Sequence, residues 1–491
     1  MSVRRAHSGA LLDAGAAQRR WSPVNQQFLE FATRQQSNAM GTQDAPTASV
    51  LQTPLGYAMQ RWPLFIDAAR YAEIGRVAVA VDHLMKSLVP RFFGRDTERI
   101  AAYFAAAPTV IEAPVAGSGH LFHIELTPEL LELLLEEPNG IAAAPSRGDY
   151  LDTTDGLRFL EFNAGGALGG IPAAQFAPGL MREEPTATFL AEYALRVRPD
   201  RPIDGLLRHI IQETRRQGIW RDGEFRLAVL LYPSDENNVP LHPRDFYEES
   251  LRHAVHELGG TEAMVVICRD TDFLEREGTL EVGGQRVHAV LEQHGGGADI
   301  RRPFRIFKRG GVSLFSGPIA ALLSDKRMLA LASTHADTGE FTSAERHLIH
   351  SHIPWTCCVR PEAHLFRGRP FRVPDDLLDA REQFVLKKAT SFGGEHVLIG
   401  RATTTARWIS TVALALREGD WVLQEHVESA CYRFHSDRHA AGAPYEVVWG
   451  LYAFGGTFGG VYLRMQQREL TESVINRAKG AEVGQLLVVS P

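Results

Sequence analysis

The sequence predicts a mixed α/β fold, α+β in its larger part, with more than one core. Three features lead to that reading. Phe225-Arg-Leu-Ala-Val-Leu-Leu-Tyr232 is a nearly continuous apolar run, followed by a helical stretch over Arg244–Leu258 and a second buried run at Ala263–Cys268. Strand, helix, strand in that order is a βαβ unit with parallel pairing. Asp155-Gly156, flanked by apolar runs, is a hairpin signal and so predicts antiparallel pairing elsewhere. The chain has 491 residues, more than one hydrophobic core organises, so two or three domains are expected.

Residues 1–50 are rich in Ala, Arg, Gln, Ser and Thr, which predicts a mobile arm with one helix around Val24–Arg34. Tyr71, Ile74, Val77, Val81, Leu84 and Leu88 recur at helical intervals, giving a helix expected to stop before Pro90. A second helix is expected over Arg95–Phe104, and a third after Thr127-Pro128, where an N-cap precedes proline. The Asp155-Gly156 hairpin follows. Gly165-Gly166 and Gly169-Gly170 then bracket a turn whose backbone could approach a ligand closely. Asp204–Gln217 reads as a helix leading into the βαβ unit, and Leu280–Leu291 as an antiparallel hairpin through Gly283-Gly284. None of these glycines forms G-x-G-x-x-G after a strand, so a dinucleotide site is unsupported. Lys326–Ala332 and Thr342–Ser351 are helical, with Ser343-Ala-Glu-Arg as a start signal. Strands are expected at Phe384–Lys387, Val397–Ile399, Trp421–Val427, Glu446–Ala453 and Gly460–Arg464, with a helix over Thr404–Leu416.

Composition narrows the function. Apolar residues make up 44% and charged residues 23%, ordinary for a folded protein. The net charge of −7 argues against nucleic acid or an anionic membrane as the main partner. Cys268, Cys357, Cys358 and Cys431 contain no C-x-x-C and form neither a disulfide framework nor a zinc site, which fits a reducing cytoplasm. No apolar run approaches the roughly 20 residues of a membrane helix, and the N-terminus lacks a signal-peptide core. Cytoplasmic localisation is expected.

Two regions carry chemistry. Asp149 and Glu161 lie equally far on either side of Asp155, so the hairpin should bring them level on neighbouring strands. Asn163 is two residues beyond Glu161 and shares its face. Two carboxylates and an amide oxygen form a hard-oxygen set suited to Mg²⁺ rather than Zn²⁺; a surface hairpin with solvated acids is the alternative. In the second region, Lys387 on a strand is followed by Gly393-Gly394, an arrangement in which an ammonium and backbone N–H groups hold phosphate. Gln424-Glu425, running to Val427, end a strand that could face an adenine edge and a ribose. Arg464, near glycines, could meet a phosphoryl group with two N–H groups or could simply be a surface arginine. The histidines at 435 and 439, and at 347, 350 and 352, read as solvated rather than metal-binding.

Taken together, these residues resemble the ATP-grasp superfamily, in its circularly permuted branch that includes the synthetase domain of glutathionylspermidine synthase. Arg147, Asp149, Glu161 and Asn163 match the family's magnesium set; Lys387, Gly393-Gly394, Gln424-Glu425 and Arg464 match its nucleotide set and follow more than 200 residues later. That inverted order is the permuted one, and the resemblance spans roughly residues 60–490. Lys326 matches a family lysine before a helix, and Asn476 a family asparagine. The chain departs from the pattern at Lys388, where the family has proline, and at Glu395-His396, where a loop lysine is usual.

The resemblance implies an ATP-grasp fold in permuted order. Residues 51–200 would hold N-terminal helices and the magnesium hairpin, 205–320 an inserted α/β domain, and 325–491 the nucleotide-binding part. It implies an ATP- and Mg²⁺-dependent ligase joining a carboxylate to an amine, or to a carrier-protein thiol, through an acyl phosphate, with release of ADP and phosphate. Lys387, Lys326, Gly393, Gly394, Gln424, Glu425 and Val427 would bind ATP. Asp149, Glu161 and Asn163 would bind Mg²⁺, and Arg147 and Arg464 would stabilise the acyl-phosphate oxygens. Small-molecule carboxylates and amines are the expected partners, or else a peptide. A catalytically silent ATP-binding scaffold is the rival.

Overall fold

A computed structural model describes residues 14–39, 50–53, 56–104, 113–114, 121–122, 140–166, 168–230, 244–292, 301–315, 322–391, 394, 396–436, 442–470, 474–476 and 479–490. The architecture is mixed α/β. Its largest sheet has eight strands, in the order Val50–Gln52, Ala58–Gln60, Glu482–Gly484, Thr457–Gln467, Ala443–Phe454, Ser146–Thr153 and Gly156–Ala164; Cys431–Phe434 also pairs with Ala443–Phe454. The long central pair forms because Val447-Val-Trp-Gly-Leu-Tyr-Ala-Phe454 is apolar on both faces and buried on both.

The helix Ala68–Phe92 packs into the same core through Ile74, Ala78, Val81, Leu84, Met85 and Leu88, as the spacing requires. It does not stop before Pro90. Proline there removes one backbone bond, while Val89 and Phe92 continue the buried stripe, and Phe93 N donates to Val89 O at 3.0 Å.

The helix expected around Val24–Arg34 lies within Pro23–Ala39, but the segment from 14 to 39 is anchored rather than mobile. Ala14–Trp21 and Pro23–Ala39 are helices, and the fully buried Trp21 stacks on Trp449 at 4.3 Å between ring centroids. Phe28 and Phe31 pack against Phe189. A few aromatic anchors in a polar segment hold it down, and average composition hides them.

The βαβ unit is present. Gly260–Cys268, Gly223–Leu230, Ala289–Glu292 and Ser313–Leu314 form a parallel sheet in that order, with Arg244–Glu257 as the crossover helix. The expected 280–291 hairpin is shorter than predicted. Thr279–Val282 turns back only over Gln285–Arg286, and Ala289–Glu292 leaves to join the parallel sheet, where all four of its residues are buried. A further antiparallel sheet runs Thr356–Cys358, Trp421–Glu425, Phe384–Lys388, Val397–Ile399 and is covered by Trp408, Val412 and Ala415 of the helix Thr405–Glu418. Thr342 caps the helix Ser343–His352 in a reciprocal box with Glu345, as its start signal indicated. The helix expected after Thr127-Pro128 lies outside the described residues. Among the described residues no helix is long and apolar enough to cross a membrane.

Candidate functional site

The hairpin reaches its expected register by an unexpected route. Its turn residues are Thr154 and Asp155, since Thr153 pairs with Gly156. The turn therefore falls one residue earlier than Asp155-Gly156 suggested, and an unbroken ladder would set Asp149 opposite Leu160. A β-bulge between the Tyr150–Phe159 and Asp149–Glu161 pairs inserts one residue, so Asp149 faces Glu161, Arg147 faces Asn163, and Leu160 has no ladder partner. Arg147, Asp149, Glu161 and Asn163 share one face.

Asp149 is the most enclosed acid of this set. Arg147 Nε and Nη2 donate to its two oxygens at 2.9 and 3.2 Å, and Arg464 Nη2 lies 2.7 Å from Oδ2. Burial alone would raise its pKa, but Arg147 and Arg464 outweigh burial and hold it below the usual carboxylate value. Arg464 comes from Thr457–Gln467, two strands away, and both guanidiniums flank Tyr462 at 5.6 Å from its centroid. Gly450 of the intervening strand makes this possible, because a β-carbon there would stand 2.9 Å from Arg147 Cδ. Arg147 also donates to the carbonyl of Leu168 and, at 3.5 Å, to that of Gly169. Its donors are therefore spent on Asp149 and the glycine turn. That turn meets protein rather than an open cleft: a β-carbon on Gly170 would collide with the Tyr462 ring.

The second sheet meets this face at Leu160. Lys387 Nζ donates to Gln424 Oε1 at 2.6 Å and to Leu160 O at 3.3 Å, and Gln424 Nε2 donates to Leu160 O at 3.4 Å. The bulge frees that carbonyl to receive them. Burial pushes the Lys387 pKa down to about 8, with Lys326 adding to the fall and Glu161 and Asp149 opposing it. Lys326 closes the join. Its Nζ lies 3.0 Å from Glu161 Oε1 and donates to Ser391 O at 2.7 Å, while its backbone N–H donates to Ala389 O.

Several expected residues stand elsewhere. Glu425 points to the opposite face of its strand from Gln424, where Arg367 pairs with Oε1 and Trp355 N–H approaches Oε2. Val427 lies past the strand, which ends at Glu425 because His426 N–H turns away to Gln383 O. Lys388 faces Glu418 and Asp420, both at 3.6 Å, away from Lys387. Gly394 has φ +72 and accepts from Lys479 Nζ at 2.8 Å; Gly393 lies outside the described residues. Lys479 and Tyr462 were not anticipated, and neither sits at a spacing that would have marked it.

The side chains fit a polyanion with a hard cation. Among the described residues Arg147, Arg464, Lys326 and Lys387 surround two carboxylates, Asp149 and Glu161, so positive charge is in excess there. Arg464 Nε is buried with no hydrogen-bond partner among the described residues, a donor in search of an acceptor. Asn163 turns Nδ2 to Arg147 O and Asp149 Oδ2, both at 3.4 Å, which leaves its amide oxygen for a cation. Among the described residues no group of three or more His, Cys, Asp or Glu could hold a metal ion unaided.

The sequence matches no family model and no curated protein. By architecture the chain falls among mixed α/β proteins of glutathione synthetase-like fold. One matching structure is that of a glutathione synthetase-like effector from Globodera pallida in its apo form, with a TM-score of 0.54. The match covers 95% of this chain and 98% of that one at 12% identity, so the likeness is one of fold.

Proposed function

We propose that the chain is an ATP-grasp ligase that uses ATP and Mg²⁺ to join a carboxylate to an amine or thiol through an acyl phosphate. The observation that carries this reading is the join between the large sheet and the sheet of Lys387, where Arg147, Arg464, Lys326 and Lys387 gather around Asp149 and Glu161 and Arg464 Nε has no hydrogen-bond partner among the described residues. A triphosphate is the common metabolite whose charge answers such an excess. In this reading the hairpin before the lysine strand is the permuted order, the parallel sheet is an inserted domain within residues 205–320, and 325–491 is the nucleotide half.

Lys387 and Lys326 would bind phosphate oxygens, and the Gly393-Gly394 backbone would cover them. Gln424 would orient Lys387, while backbone groups of the strand end from Glu425 to Val427 would stand toward the base. Asp149, Glu161 and Asn163 would hold Mg²⁺, which when bound offsets charge on the transferred phosphoryl group. Arg147 holds Asp149 and the glycine turn in place. Arg464 is left to stabilise oxyanion charge on the acyl phosphate, aided by burial in a low-dielectric site. An ADP-release assay with pools of amino acids and small carboxylates, products read by mass spectrometry, tests the reading. ADP formed only when both carboxylate and nucleophile are present supports a ligase.

A further inference from the structure

Behind Lys387 lies a chain of hydrogen bonds with only one consistent polarity. Pro354 O can only accept, so the Thr356 hydroxyl donates to it, at 2.8 Å. The Thr356 oxygen must then accept from Gln424, whose Nε2 lies 3.2 Å away. That fixes the amide with Oε1 toward the Lys387 ammonium, which is donor-only, at 2.6 Å. Thr356 is fully buried, its own N–H donates to Ser333 Oγ at 3.0 Å, and its strand pairs residue for residue with that of Gln424. Neither end of the chain can rotate. With the amide reversed, an N–H₂ group would face an ammonium in a buried setting, an arrangement without compensation.

We propose that Thr356 is a positioning residue for nucleotide binding, acting through the Gln424 amide to hold Lys387 at the join between the two sheets. This rests on the nucleotide reading above. Thr356 acts at one remove from Lys387: together with Leu160 O, which also accepts from Gln424 Nε2 at 3.4 Å, it sets which end of the glutamine faces the lysine.

The test is a double-mutant cycle with a nonhydrolysable ATP analogue and Mg²⁺ as the probe, by calorimetry on the full chain. Thr356→Val keeps shape and loses the hydroxyl; it should weaken binding about fivefold, the worth of one hydrogen bond. Thr356→Ser should bind as the wild type does. In a Lys387→Met background, Thr356→Val should add no further loss. Wild-type affinity in Thr356→Val, or the same loss with Lys387 already removed, overturns the inference while leaving the nucleotide site standing. A second measurement needs no nucleotide: acetylation of the Lys387 amine by acetic anhydride, followed by peptide mass spectrometry. It should quicken in Thr356→Val and not in Thr356→Ser. An unchanged rate overturns the positioning role even if the wild type binds no ATP.

Discussion

Lys326 Nζ lies 3.0 Å from Glu161 Oε1 and ties the large sheet to the turn beside the lysine strand. The two partners are unequally buried: the Lys326 side chain is 3% exposed and that of Glu161 27%. Removing one partner leaves the other in its own environment. Glu161→Gln strands a buried ammonium and should cost about 3 kcal/mol, whereas Lys326→Met leaves a half-solvated carboxylate and should cost about 1 kcal/mol. Urea unfolding of both variants measures the order, and a larger loss in Lys326→Met would contradict it.

Lys387→Ala should weaken ATP binding and abolish turnover without unfolding the chain. Its strand keeps Phe384 and Leu386 in the small core, and the lysine contributes charge rather than packing. Calorimetry showing wild-type affinity would remove Lys387 from the site.

Lys387 also sets a pH dependence. Buried, its folded pKa is about 8, below the roughly 10.4 of a free lysine. Phosphate binding needs the ammonium, so ATP affinity should fall as pH rises through about 8. The stability term has the opposite sign. Between about 8 and 10.4 the unfolded chain binds the extra proton, so the cost of burying the charge is full below 8 and is relieved as pH rises. Lys387→Arg, whose guanidinium does not titrate in this range, should bind with no such fall. A matching fall in that variant would assign the titration to another group.

Asp149→Asn and Glu161→Gln retain shape and lose charge. Phosphoryl transfer should drop on the order of a hundredfold in each, with nucleotide binding less affected. Full activity of both at limiting Mg²⁺ would show that the hairpin does not hold the metal.

The geometry of the site was partly legible in the sequence, and the reasons are local. Alternation alone puts Arg147 and Asp149 on one face, and likewise Glu161 and Asn163. Bringing the two strands level depended on a turn one residue earlier and a bulge at Leu160, and no composition signal marks a bulge. Arg464 reaches Asp149 because Gly450 leaves space beside Arg147, a fact of three strands at once. Glu425 was misplaced in expectation because adjacent strand residues face opposite ways, and which face meets the cleft is set by docking of the two sheets. The docking of the N-terminal segment was hidden for a related reason: Trp21 is secured by Trp449, more than 400 residues later.

The central claim concerns which phosphorus atom is attacked. In the proposed reading the cations and carboxylates surround the γ-phosphoryl group, so turnover with both a carboxylate and an amine pool should release ADP and phosphate. Hydroxylamine in place of the amine should trap the acyl phosphate as a hydroxamate. The most direct measurement is therefore the nucleotide product and the hydroxamate from one reaction, read together by mass spectrometry. ADP with hydroxamate is the predicted result. AMP and pyrophosphate would contradict the mechanism, and tight ATP binding with no product from any pool would identify a silent nucleotide binder instead.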